Sequence, residues 1–159
     1  MNFWLVKTEP DTYSIENLKE EEWTRWDGVR NYQARNFMRD DMKTGDRVLI
    51  YHSNIKDPVI SGEARVCSES YPDPTQFDER SDYYDEKARE NEPRWFLVDL
   101  CYVKTFKRAV TRSELKDDPV LSTTLPVLQK GNRLSIQPIT KDHYDRIKKL
   151  SEESRGVEE

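Results

Sequence analysis

At 159 residues and a formal net charge of −5, the chain has the length of one domain, enough to bury a core without disulfides or a structural metal. Eight tyrosines, five phenylalanines and four tryptophans exclude a disordered polyelectrolyte, and no apolar run approaches membrane-spanning length. The acidic balance argues against a protein that coats a duplex by charge alone; however, the acid is concentrated between residues 69 and 92 and over 151–159, and the remainder is close to neutral.

Phe3 to Thr8 reads as a first strand, apolar on both faces and therefore central in its sheet. It begins too early for a secretory signal, so a cytoplasmic protein is expected. Ser14 is placed to cap a short helix over Ile15 to Glu20. Asp27-Gly28 marks a turn, and Asn31 can cap a second helix running to Met42. In that helix Ala34, Phe37, Met38 and Met42 form one apolar stripe. Arg35, Arg39 and Lys43 recur every four residues on another face. Arg47 to His52 is a strand, joined by a hairpin to an alternating, half-buried strand over Ile60 to Val66. Residues 68 to 93 form a long surface excursion, followed by a long strand from Arg94 to Phe106.

Thr111 and Glu114 make a capping box for a short helix. Gly131-Asn132-Arg133 is a turn before a strand over Leu134 to Pro138, and Thr140 caps a last helix striped by Tyr144, Ile147 and Leu150. Residues 1–150 thus read as one α+β domain on a curved or barrel-like mixed sheet, with a flexible acidic tail over 151–159. Cys67 and Cys101 both fall in strand-like segments and are expected as reduced core thiols.

The chemistry concentrates in Trp26 to Arg39, where aromatics, amides and guanidinium groups follow a turn. A pocket for one flat heterocycle beside a phosphate backbone needs such groups; a core tryptophan beside a solvated helix face is the other reading. Lys7-Thr8-Glu9 ends a central strand and supports either acid–base chemistry or an ion pair. Tyr51-His52-Ser53-Asn54 offers either hydrogen-bonding partners for a base edge or a turn. Trp4 and Trp95 read as core, and Trp23 as half-exposed. His52 and His143 stand alone, so no metal and no cofactor are expected. Arg30, Arg35, Arg39, Lys43, Lys130 and Arg133 could form a local basic patch.

Five segments, taken in order, resemble the EVE domain. They are Lys7–Pro10, Trp26–Asn36, Tyr51–Asn54, Tyr71–Pro74, and Gly131–Ser135 with Gln137-Pro138. Thr8 stands where the family commonly carries serine, and both supply a hydroxyl. The resemblance implies a PUA-like fold, an open mixed β-barrel surrounded by short helices, in a superfamily that includes the YTH readers of methylated adenine. It also implies recognition of a flipped modified base, above all a modified cytosine in DNA, with RNA the alternative polymer. By that analogy Trp26 floors the pocket, and Lys7, Thr8, Asp27, Tyr32, Tyr51, His52, Ser53 and Asn54 line it. Asp27, Asn31, Ser53 and Asn54 would meet the base edge. Arg30, Arg35, Arg39 and Arg133 would meet the backbone. The competing expectation is a small amidohydrolase-like enzyme acting on a modified nucleobase or nucleoside through Lys7-Thr8-Glu9.

Overall fold

The structure, a computed structural model, describes residues 1–153. Six strands form one mixed sheet in the order β2-β7-β4-β3-β1-β8. In chain order they are β1 (Phe3–Thr8), β2 (Trp23–Arg25), β3 (Arg47–His52), β4 (Val59–Val66), β7 (Asp99–Thr111) and β8 (Ile136–Ile139). A two-stranded ribbon, β5 (Tyr71–Pro72) with β6 (Phe96–Leu97), stands apart. β1 runs parallel to β3 and antiparallel to β8, so the apolar first strand is internal, as its sequence requires. β7 follows β4 through two register shifts, and such irregularities bend and twist the ribbon. The result is a curled half-barrel carrying short helices, the open mixed barrel expected.

Apolar side chains fill both faces of this sheet. Trp4, Val6, Val48 and Ile50 share one face with α1 (Ile15–Glu21) and α2 (Tyr32–Asn36). Leu5, Leu49 and Tyr51 share the other with α3 (Arg112–Asp117), α4 (Pro119–Thr124) and α5 (Lys141–Glu152). Both faces being covered explains why β4 is not half-buried. Ser61 and Glu63 are as enclosed as Ile60 and Ala64. The Glu63 carboxylate accepts from Tyr144 Oη and Lys148 Nζ of α5, both at 2.6 Å.

The caps fall where local chemistry places them, at Ser14, Asn31, Thr111 and Thr140. α2 continues from Phe37 to Asp41 as a wider π-turn, closed by Met42 N–H to the Phe37 carbonyl at 2.8 Å. Ala34, Met38 and Met42 are buried, and Phe37 packs on Trp4. Three further expectations need correction. The strand drawn from Arg94 to Phe106 is interrupted at Val98 and continues to Thr111, because β6 pairs with β5 while β7 pairs with β4. The cysteines are not free core thiols: Cys67 follows β4, which pairs with β7, and its Cα lies 5.9 Å from that of Cys101 with the two sulfurs bonded. The last helix runs to Glu152 with Ser151 buried, and residues 154–159 lie outside the described ones. Among the described residues no helix is long and apolar enough to cross a membrane.

Candidate nucleic-acid interface

Three chain segments meet where the strands of the half-barrel end. Ser53 N–H donates to the Thr8 carbonyl at 3.2 Å, and Lys7 N–H donates to the Ser135 carbonyl at 2.8 Å. The ends of β1 and β3 and the loop before β8 are thereby locked side by side. Thr8 Oγ1 donates to the Tyr13 carbonyl at 2.9 Å, drawing in the segment before α1. Opposite them, Trp26 N–H donates to the Val98 carbonyl at 3.0 Å, using the break between β6 and β7. The indole is partly buried against the core and meets Tyr13 edge-on, with centroids 6.0 Å apart.

Between these walls lies a cavity of about 660 Å³, within the range of small-molecule sites. Trp26, Tyr13 and Tyr83 supply flat surfaces; Asp27 and Glu9 supply acceptors; Lys7, Asn31 and the hydroxyls of Thr8, Ser53 and Ser135 supply further polar groups. The rim is built by the acidic excursion. Asp73 is buried and accepts from Gly28 N–H at 2.8 Å, from Arg30 Nη1 at 3.1 Å, and from Thr75 N–H and Oγ1 at 2.8 and 2.6 Å. Burial alone would raise its pKa, but these donors outweigh it and hold the carboxyl below the usual range. Gly28 has φ +78°, and a Cβ there would sit 2.6 Å from the Tyr83 ring. The Asp27-Gly28 turn therefore needs glycine both for its backbone and to admit Tyr83.

Lys7, Thr8, Trp26, Asp27, Asn31, Ser53 and Arg30 of the expected set line this cavity. Tyr32, Tyr51, His52 and Asn54 do not. Tyr32 stacks on Trp95 at 4.7 Å, and Arg35 lies over the Tyr32 ring at 4.7 Å. Asn54 Nδ2 reaches only as far as Glu9, at 3.3 Å. His52 is buried: its Nδ1 faces the Thr8 carbonyl, and its Nε2 faces Ile15 N–H, each at 3.3 Å. A carbonyl accepts and an N–H donates, so the ring is the neutral Nδ1–H tautomer with neither nitrogen left for Ser53. Burial holds its pKa below the ordinary histidine value.

Among the expected backbone contacts, Arg30 is bound to Asp73, Thr75 and the Tyr83 carbonyl, and Arg35 to Asn36 and the Arg94 carbonyl. Arg39 pairs with Asp40, and Lys43 is exposed. Lys130 and Arg133 line a second cavity that also touches Lys7 and Ser53. Sequence reading missed Tyr13, Tyr83, Ser135 and Arg112; only the fold brings these scattered residues together. Among the described residues no group of acidic, histidine or cysteine side chains could hold a metal ion.

The EVE domain family model matches residues 2–150. The chain belongs to the EVE domain family. Thymocyte nuclear protein 1 of Homo sapiens is 42% identical to this EVE domain over 166 aligned residues, spanning 94% of this chain and 73% of the relative. A crystal structure of a Pseudomonas putida protein superposes with a TM-score of 0.88 at 45% identity, covering 94% of this chain and 99% of that one. Human THYN1 in complex with 5-methylcytosine-containing DNA superposes with a TM-score of 0.87 at 40% identity, covering 97% and 99%. The curled six-stranded sheet with its short helices is thus the fold of these EVE domain neighbours.

Proposed function

We propose that this EVE domain reads a modified cytosine in DNA, with the flipped base seated against Trp26. The carrying observation is the cavity itself: an indole wall, carboxylate acceptors and hydroxyls converge on a space suited to one flat heterocycle. The likeness to a human protein crystallised with 5-methylcytosine-containing DNA supports the same reading.

Each feature has a physical task. A flipped base loses its stacking at a cost of a few kcal/mol, and an aromatic face returns about 1–3 kcal/mol. The exocyclic amine of cytosine is a donor and requires an acceptor, which Asp27 and Glu9 offer. Burial and the nearby Asp73 carboxylate raise the Asp27 pKa, so this acceptor weakens on acidification sooner than an ordinary carboxylate. A 5-methyl group filling apolar space adds about 1–3 kcal/mol, roughly tenfold to two-hundredfold in discrimination. A reader rather than a tight repressor fits that range. Such a protein works where it meets nucleic acid, in a bacterial cytoplasm or, in a eukaryote, the nucleus.

The enzyme reading has less support. Thr8 Oγ1 is spent on the Tyr13 carbonyl and Glu9 faces Asn54, so Lys7-Thr8-Glu9 is not assembled as a nucleophile with its base. The test is an affinity series on duplex and single-stranded DNA and RNA carrying unmodified, methylated, hydroxymethylated or carboxylated cytosine, or methylated adenine. Preference for a modified cytosine in DNA, lost in Trp26→Ala, is expected. Equal affinity across the series contradicts it.

A further inference from the structure

We propose that the second cavity is a phosphate subsite, holding the phosphodiester next to the nucleotide whose base enters the first. The inference rests on the base-reading site; it joins Lys130 and Arg133, expected near the backbone, to Lys7 and Arg112 in one local site.

This cavity, about 330 Å³, is lined by Lys7, Arg112, Lys130 and Arg133 and by no carboxylate. Among the described residues no ion pair reaches any of these four cations. Arg112 is oriented from within: Nη1 donates to the Tyr51 hydroxyl at 3.3 Å and to the Val127 carbonyl at 3.1 Å. The turn at Gly131, with φ +83°, lies between Lys130 and Arg133 and carries both exposed side chains to the rim. Arg30 and Arg39 differ in kind, for each guanidinium already pairs with a carboxylate, Asp73 and Asp40.

Burial, then the charges of Arg112 and Arg133, holds Lys7 below the usual lysine range. Cations gathered without a counter-charge repel one another, and a bound anion relieves that repulsion. Lys7 and Ser53 line both cavities, so the two sites share a wall. The two differ in their charge: the first mixes Glu9 and Asp27 with Lys7, Arg25 and Arg30. Carboxylates stand in the first cavity, where a base offers donors. Only cations stand in the second, where a phosphate offers acceptors. A net acidic protein can bind a polyanion in this way, through one local contact and not through its whole surface.

The test uses a DNA duplex with one 5-methylcytosine, either native or with the two flanking phosphodiesters replaced by neutral methylphosphonates. Wild-type protein is expected to bind the neutralised duplex about tenfold more weakly. The double variant Lys130→Ala/Arg133→Ala, at exposed positions that leave the fold intact, is expected to bind native duplex that weakly and to lose less than about twofold on neutralisation. Binding of the neutralised duplex by wild type at native strength overturns the proposal, as does a full loss in the double variant. The preference for methylated over unmodified cytosine is read in the same titrations and is expected to survive in the variant; its absence in wild type sinks the base reading alone. Sodium pyrophosphate, followed by the Arg112 Nε–H resonance, gives a readout free of any base. A saturable shift in wild type, weakened in the double variant, is expected, and no shift in wild type overturns the subsite.

Discussion

Asp73 shows how a residue remote in sequence sets the shape of the cavity. It lies in the acidic excursion, yet its buried carboxylate ties down the Gly28 backbone and the Arg30 side chain. Arg30 then lies between two aromatic faces, 5.2 Å from the Trp95 ring and 5.5 Å from the Tyr83 ring. Asp73→Ala removes the buried carboxylate of this ion pair and leaves the Gly28 and Thr75 amides without their acceptor, while Arg30 keeps Thr75 and the Tyr83 carbonyl. A loss of about 3 kcal/mol is expected in chemical denaturation, together with weaker binding of modified DNA as the Asp27-Gly28 turn loosens. Unchanged stability would show that the carboxylate is not what holds this rim. The Tyr71–Pro74 motif singles out position 73 without giving this role, and by composition alone an acid among eight other acids between residues 69 and 92 reads as solvated surface.

At the scale of elements, the join between β1, β3 and α1 depends on one histidine. His52 accepts from Ile15 N–H, the first amide of α1, and donates to the end of β1. Protonation would turn the acceptor into a donor facing a donor and place a cation at the positive end of a helix. The folded-state pKa therefore lies below the unfolded value of 6.5. Between those two values the unfolded chain binds more protons, so stability is complete above 6.5 and falls as the pH drops through the window. Urea denaturation between neutral and mildly acidic pH is expected to show that fall and to show less of it in His52→Gln. An equal fall in both proteins would clear His52 of the effect; His143, whose pKa burial also lowers, is then the group to test.

The four caps were legible because capping is local: a hydroxyl or amide oxygen meets an amide two or three residues on. β2 was not. Trp23–Arg25 is three residues long, carries no alternation, and exists because β7 offers it an edge. The interruption at Val98 was hidden for a related reason, since Arg94 to Phe106 is uniformly strand-like and only the choice of partner divides it.

For the molecule as a whole, charge limits the mode of binding. A chain of net charge −5 cannot spread over a duplex, and among the described residues four cations, Lys7, Arg112, Lys130 and Arg133, gather beside one cavity that no carboxylate lines. The plot of log affinity against log salt should then have a shallow slope, about −2 to −4, reflecting a few phosphate contacts at about 0.9 each. Removing Lys130 or Arg133 should reduce it by about one contact. A slope as steep as that of an extended duplex binder would contradict a local site. The overall architecture was legible from hydrophobic patterning and the order of motifs; the site was legible in part. Trp26, Asp27, Lys7 and Ser53 lie in short stretches rich in functional groups, whereas Tyr13, Tyr83, Arg112 and Ser135 reach the cavities only through the curl of the sheet.

The central claim, a base seated on Trp26, can be read from the protein's own fluorescence. Trp4 and Trp95 are buried and Trp23 lies on an edge strand, whereas Trp26 alone of the four lines the cavity. The decisive measurement is titration of tryptophan emission with a duplex carrying one 5-methylcytosine, in wild type and in Trp26→Phe, which keeps an aromatic against the core. Saturable quenching in wild type, shifted to at least about tenfold higher concentration with unmodified duplex and lost in the variant, is the expected result. The same quenching in Trp26→Phe, or with both duplexes, would contradict it.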